Sequence, residues 1–423
     1  MKSLFIRLSL IELLLAMLGT SEVKAQLELE AEIRPRAELR RGFSSLPDSS
    51  GKAASFVSQR SRLGLHYKKE QFAFKISVQD VRIWGSEEQA RIVPSIALYE
   101  AWAEVSFLKN SQLRFGRQEL VYDDHRILGN AEWLQQGRTH DALVWKFIKN
   151  GWKTDLGGAY NQEAEKLSGN SYSLNNYKYL AFLWANKTFC ENLRLSILGV
   201  SDGFQIKDST QDVIFRHTYG LDFSYRLKAF DFKGAFFGQS GTDIRRNTIS
   251  AGMASLQLGY TIQKFRFCIG GDYLSGTDQV RKEAGRNHSF NTLYSTNHKF
   301  YGYMDYFLNI PADTRNGGLK DFYFRTKYTA NSKLTLTLDY HYFALASALP
   351  SAADATVPVN FYLGSELDAV LNFKPASDMS VFVGYSAMFP GESMSVIKAG
   401  DNRTYAHWAW AMITINPKIL LKE

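Results

Sequence analysis

Leu27-Glu28-Leu29-Glu30-Ala31-Glu32-Ile33-Arg34-Pro35-Arg36-Ala37-Glu38-Leu39-Arg40 alternates without a slip: odd positions are apolar or Pro35, and even positions are charged. Successive side chains of a β-strand point to opposite faces, so a period of two marks a strand with one oily and one wet side. Similar stretches recur to the end of the chain with almost no helical pattern between them. His217 to Leu227 sets Tyr219, Leu221, Phe223, Tyr225 and Leu227 against Thr218, Gly220, Asp222, Ser224 and Arg226. Ala254 to Ile262, Leu334 to Tyr342 and Met379 to Phe389 repeat the pattern, while Lys178 to Phe189 and Arg266 to Ser275 alternate less cleanly. The expected fold class is all-β: a transmembrane antiparallel β-barrel of about 18 strands, porin-like, with lipid outside and water inside.

The connections carry the same message, because they alternate short and long. Short ones fall at Lys68-Lys69-Glu70, Lys109-Asn110, Lys149-Asn150, Cys190-Glu191, Lys228, near Lys264, Ala330-Asn331 and Lys374-Pro375-Ala376-Ser377. Long ones include Arg41 to Ser55, Leu120 to Gly137, Asn161 to Asn176, Gly276 to Leu319, Ala346 to Val359 and Pro390 to Arg403. Outer-membrane barrels have tight periplasmic turns and longer external loops. Tyr67, Trp84, Phe107, Trp152, Tyr160 and Tyr273 sit near strand ends, where aromatic girdles belong. The last clear strand is Thr404 to Ile415, leaving a short tail.

Bulk numbers agree with this reading. Aromatic residues make up 14% of the 423 residues, yet mean hydropathy is −0.25, because alternating strands cancel their own signal. Fifty Lys and Arg against 42 Asp and Glu give +8, too mild an excess for nucleic-acid binding. Lys2 and Arg7, the apolar run Leu8 to Gly19, and Val23-Lys24-Ala25 before Gln26 read as a secretory signal over residues 1–25. Residues 26–423 then form the barrel, placed in a bacterial outer membrane. The strand begins almost at once after the leader, which leaves no room for a plug domain. Cys190 and Cys268 lie in a tight turn and mid-strand, and suggest neither a disulfide framework nor a metal site.

Phasing places Arg34, Arg36, Arg40, Arg60, Arg62, Arg114, Arg216, Arg226, Arg266 and Arg325 on the inner face. Arginine ladders line pores for anions, and planar guanidinium suits carboxylates. Glu28, Glu30, Glu32, Glu38, Glu100, Glu104, Asp222, Asp272, Asp339, Glu366 and Asp368 face inward too, so cross-strand ion pairs could instead brace the wall. Neither Gly-x-Ser-x-Gly, His-Glu-x-x-His nor a phosphate loop occurs, and no enzyme, cofactor or metal is expected. His140-Asp141 and Asp123-Asp124-His125 are isolated clusters suited to hydrogen bonding where a loop folds back.

Three stretches are more specific. Phe115-Gly116-Arg117-Gln118-Glu119-Leu120 continues into Arg126-Ile127-Leu128-Gly129, Trp133-Leu134-Gln135-Gln136-Gly137-Arg138 and Asp141-Ala142. His298-Lys299-Phe300-Tyr301-Gly302-Tyr303-Met304-Asp305 precedes Gly317-Gly318-Leu319-Lys320-Asp321, and Gly364-Ser365-Glu366-Leu367-Asp368 lies near the end. Together they resemble the alginate-export family over the full mature length. The resemblance implies an 18-stranded barrel with an electropositive lumen constricted by inward-folding loops, able to pass an anionic uronic-acid polymer. It also places Gly116, Arg117, Arg126, Trp133 and Arg138 in the folded-in loop and its strand stems, adding Arg117, Arg126 and Arg138 to the pore-lining set.

The expected partners are therefore outer-membrane lipid and an anionic saccharide or small anionic solute, with oligomeric state open. On this reading, neutralising Arg34, Arg36, Arg60 and Arg62 weakens anion selectivity. Competing readings are a structural or loop-binding barrel, and a barrel-embedded hydrolase, for which no Ser or Thr nucleophile pairs with a His.

Overall fold

Why these residues make a closed wall follows from their two faces. The computed structural model describes residues 25–422, apart from residues 49, 91–92 and 207–210. The leader expected over residues 1–25 thus lies outside the described residues but for Ala25. The wall runs through β1 (Gln26–Arg41), β2 (Ala54–Lys69), β3 (Phe72–Ile83), β4 (Ile96–Leu108), β5 (Ser111–Gln118) and β6 (His140–Lys149). It continues as β7 (Trp152–Tyr160), β8 (Tyr179–Cys190), β9 (Leu193–Gln205), β10 (Val213–Leu227), β11 (Phe230–Thr242), β12 (Thr248–Ile262) and β13 (Phe265–Leu274). A two-residue strand, β14 (Arg286–Asn287), sits inside a loop. The wall then resumes with β15 (Leu319–Asn331), β16 (Leu334–Ala344), β17 (Tyr362–Ala376), β18 (Met379–Pro390) and β19 (Ala406–Ile415).

Each wall strand pairs antiparallel with the next, β13 pairs with β15, and β19 returns to β1 through Ala37↔Ala411 and Arg40↔Trp408. The result is a closed antiparallel barrel of 18 strands. Closure leaves no unpaired edge, as a bilayer demands of any strand that crosses it. The supposed tail is a correction. β20 (Lys418–Lys422) pairs with the first half of β1, from Gln26↔Lys422 to Glu30↔Lys418. Lys418 binds Glu28 and Glu30 across that seam, so β19 and β20 act as one closing strand interrupted at Asn416-Pro417. Pro417 has no N–H to give the ladder.

The outer face keeps the oily side chains. Ile33, Leu63 and Ile269 are each more than half exposed, whereas their strand neighbours Arg34, Gly64 and Cys268 are buried. Trp84, Phe107, Trp152, Tyr160 and Tyr273 are exposed outside, as girdle residues should be. Turns at Glu70, Asn150, Lys228 and Gln263 take positive φ, the tight-hairpin geometry at the short-turn end. Ile269→Arg on the lipid face should therefore lower folding stability in detergent or lipid by ~2–4 kcal/mol, measured by denaturant titration. Gln257→Arg, which faces the lumen one strand away, should leave it nearly unchanged.

Candidate functional site

The inner face is where chemistry with a solute could occur, and a loop decides its shape. Residues 119–139, between β5 and β6, fold into the barrel and touch its wall at widely spaced points. Tyr122 donates its hydroxyl to Asp155 of β7 at 2.9 Å. Asp123 accepts from Trp184 Nε1 of β8 at 3.1 Å and from Ser196 Oγ of β9 at 2.5 Å, with Arg194 Nη1 at 3.3 Å. Arg126 crosses to β13, where it pairs with Asp272 at 2.7 Å. The loop then reaches β1 and β2 on the far side.

There the expected arginine patch has another occupation. Arg34 gives Nη1 to the Glu132 carbonyl, Nη2 to the Leu134 carbonyl, both at 3.0 Å, and Nε to Gln135 Oε1 at 3.1 Å. Arg36 donates to the Trp133 carbonyl at 2.9 Å and stacks over the Trp133 ring, 4.2 Å from its centroid. Arg60 is fully buried and ion-paired to Glu32 and Glu132. Arg40 binds Glu38 at 2.7 Å and lies over Phe43 and Phe56. Arg34, Arg36 and Arg60 thus face inward as phasing requires, yet they hold a loop and line no open passage. Parity fixes which way a side chain points and is silent on what covers it.

A second long segment, residues 275–318, fills the lumen beside β16–β19. Phe290, Tyr301, Met304, Tyr306, Phe307 and Ile310 pack with Phe343, Leu363, Met388, Trp408 and Trp410 of the wall. This corrects the expectation of a water-filled bore: one side is an apolar core, because Trp408, Trp410 and Met388 supply apolar inward faces. The two loops also join each other. Gly129 N donates to the Tyr294 carbonyl at 2.9 Å, Tyr294 N to Ile127 at 3.0 Å, and Thr296 N to His125 at 3.0 Å. Trp133 stacks on His298 at 4.2 Å, and His298 binds Asp305 at 2.6 Å.

Open space remains on the β9–β15 side. An outer cavity of about 880 Å³ is lined by Ile214, Arg216, Gln239, Asp243, Arg245, Lys282, Arg286 and Tyr294, among others. An inner cavity of about 770 Å³ lies towards the short turns; its charged lining is Arg126, Arg194, Arg226, Lys233, Arg266, Lys299 and Arg325 with Asp123, Asp124, Glu191, Asp222 and Asp231. Between them Gln239 Nε2 donates to Thr218 Oγ1 at 2.9 Å and to the Asn291 carbonyl at 2.7 Å. A smaller cavity of about 340 Å³ lies across the loop, where Lys75, Arg114 and Lys146 meet Glu30, Glu100, Glu104 and Asp155 in close balance.

The remaining expected arginines divide accordingly. Arg216 pairs with Asp202 at 2.5 Å, Arg266 with Asp231 at 2.6 Å, and Arg325 with Asp339 at 3.3 Å. Arg114 pairs with Glu104 at 2.7 Å and covers Trp102, while Arg62 donates to Gln79 and lies over Tyr99. Arg126 is wholly engaged inside the loop. Arg138 donates to the Gly129 and Ser295 carbonyls, and burial holds its guanidinium below the ordinary value. Arg117 is a correction. It stands opposite Asp141 on the outer face, with two parallel bonds of 2.9 and 2.8 Å, because the alternation runs unbroken through Gly116. His140 points inward to Tyr177 at 2.8 Å, on the opposite face from Asp141.

Sequence phasing missed Arg194 and Lys233, and Lys299 belongs to a loop that has no phase. Lys233 alternates correctly with Asp231 and Ala235, so the strand pattern could have found it. Among the described residues, Arg226, Lys233 and Lys299 line the inner cavity with no carboxylate at ion-pair distance. Burial above all, with the neighbouring charges of Lys233, Arg126 and Arg325, holds the Lys299 ammonium below its ordinary range against the pull of Asp124. Among the described residues, no group of three or more His, Cys, Asp or Glu side chains is placed to hold a metal ion.

Residues 25–408 match the family described as Alginate export. The chain belongs to the alginate-export family. The motifs of that resemblance now have positions: Trp133 to Gln135 dock on β1, and Glu366 and Asp368 receive the turn at Tyr303-Met304. The barrel is also similar to solved structures of outer membrane proteins. OprD from Pseudomonas aeruginosa is 13% identical, with 93% of this chain and 94% of that chain covered and a TM-score of 0.61. OpdK from the same organism is 11% identical over 93% and 99%, with a TM-score of 0.60. OccAB4 from Acinetobacter baumannii is 12% identical over 93% and 98%, also at 0.60. No curated protein matches the chain. Family and fold together make this alginate-export protein a porin-like channel of the outer membrane.

Proposed function

We propose that the channel passes anionic solutes passively, acidic saccharides such as alginate among them, along the β9–β15 side of the lumen. One observation carries this reading. Around the inner cavity every lining aspartate is tied to an arginine, a hydroxyl or an indole, and Glu191 at the exposed turn is set against Arg226, Lys233 and Lys299, three cations with no carboxylate partner among the described residues. Unpaired, water-facing cations attract anions and repel cations at close quarters. The outer cavity, where Arg216, Arg245, Lys282 and Arg286 outnumber Asp243 and the Glu283 paired to Arg286, supports the same direction of selectivity. The family's description names alginate, a polymer of carboxylates, which suits ammonium and guanidinium groups. In planar bilayers under a potassium chloride gradient, the reversal potential should show chloride more permeant than potassium. Cation preference would overturn the proposal.

A further inference from the structure

Asp339 of β16, Asp368 of β17 and Ser386 of β18 stand in one register row across the inner wall. Asp339 Oδ1, Asp368 Oδ1, Ser386 Oγ and Glu366 Oε2 are all buried without a hydrogen-bond partner. Glu366 is fully buried and Asp368 is only 3% exposed. The basic groups nearby already have partners: Arg325 pairs with Asp339, His341 with Asp321, and His298 with Asp305. Glu366 and Asp368 therefore share their site with no counter-charge. They stand two positions apart on the same inner face of β17. A fully buried carboxyl group with no counter-charge and a second acid beside it is costly to ionise, so Glu366 keeps its proton.

That pair carries the turn of the lumen-filling loop. Met304 N donates to Glu366 Oε1 at 2.8 Å, and Tyr303 N points to Asp368 Oδ2 at 3.4 Å. Gly302 has a φ of +79°, and a Cβ there would stand 2.6 Å from Glu366 Oε2. The backbone of the turn is thus laid directly on the carboxyl group and keeps water from it. The other titratable groups facing the pair are Asp305, Tyr303 and Tyr306 from the loop, Asp339 and His341 from β16, and Arg325 from β15. β18 and β19 present Ser386, Met388, Trp408 and Trp410 there, none of which titrates.

We infer that Glu366, set beside Asp368, is a proton-dependent latch: losing its proton to water releases the turn around Gly302 from the wall and widens the lumen. A second negative charge at this site needs hydration, and only displacement of the covering turn admits water. The stabilisation is present while Glu366 holds its proton and is lost as pH rises, as for any group protonated in the docked state.

The inference rests on the channel reading only for its electrical readout, and a second readout is independent of ion selectivity. Single-channel conductance of the wild-type protein should rise roughly twofold or more between about pH 6 and about pH 9. Over the same range trypsin should cut faster at Lys299, which leaves the lumen with the turn. Glu366→Gln keeps the shape of a protonated carboxyl and removes the titration, so both responses should be flat in that variant. Wild-type responses that are flat, or a Glu366→Gln protein that follows the wild-type profile in either readout, would overturn the latch. A cation-selective channel with intact pH responses would leave it standing and sink only the selectivity proposal.

Discussion

Arg60→Ala should give a channel that is both noisier and markedly less stable than the wild type. Arg60 is fully buried and joins Glu32 on the wall to Glu132 on the inward loop. Its removal strips Glu32 of its guanidinium and leaves half-exposed Glu132 with Arg34 alone, and breaking a buried pair from one side costs about 3–5 kcal/mol. Glu132 also meets Arg34 at 3.1 Å, so the neighbouring clamp on Leu134 and Gln135 is disturbed as well. Denaturant midpoints of the refolded barrel measure the first effect, and open-channel current noise measures the second. Arg226→Ala, where no ion pair exists, is the matching control and should change neither. A quiet, fully stable Arg60→Ala channel would show that the loop is held elsewhere.

The second large effect belongs to selectivity. Lys233→Glu combined with Lys299→Glu reverses two charges that face the inner cavity. An anion about 8 Å from one unit charge gains roughly 0.5–2 kcal/mol as the effective dielectric falls from 80 to 20. Reversing two such charges should lower the chloride-to-potassium permeability ratio about tenfold or more. Reversal potentials in salt gradients report this directly. Neutralising Arg34, Arg36 and Arg60 is a different experiment, because their guanidiniums are occupied by loop carbonyls and Glu132. Changes there should act through loop position. If Lys233 and Lys299 can be reversed with no shift in reversal potential, the ion path lies elsewhere.

Much of the wall was legible because a strand writes its two faces directly into the sequence. The unbroken alternation of Leu27 to Arg40 became β1, and the short breaks at Lys109-Asn110, Lys149-Asn150 and Lys228 became turns of the hairpin end. The lumen was less legible, for a physical reason. Which groups fill it depends on contacts between residues far apart in the chain, such as Arg34 with Leu134 or Gly129 with Tyr294. Period two shows that Arg34 and Arg36 point inward, and it cannot show that Trp133 will lie on them. Arg117 failed in the opposite way: a motif suggested the lumen, whereas the simple alternation through Phe115 and Gly116 places it outside against Asp141. Lys299 carries no strand phase at all, and β20 was hidden because Pro417 interrupts the pattern just before it.

The loop between β5 and β6 is tied to β7, β8, β9, β13, β1 and β2 in turn. A strut of fixed contour length that grips opposite walls behaves like the spokes of a wheel. The ring cannot flatten under lateral pressure from the bilayer without stretching or freeing one of those ties. Bore diameter in this protein is therefore set jointly by strand number and by the length of one loop, and shortening that loop would pull the cylinder out of round.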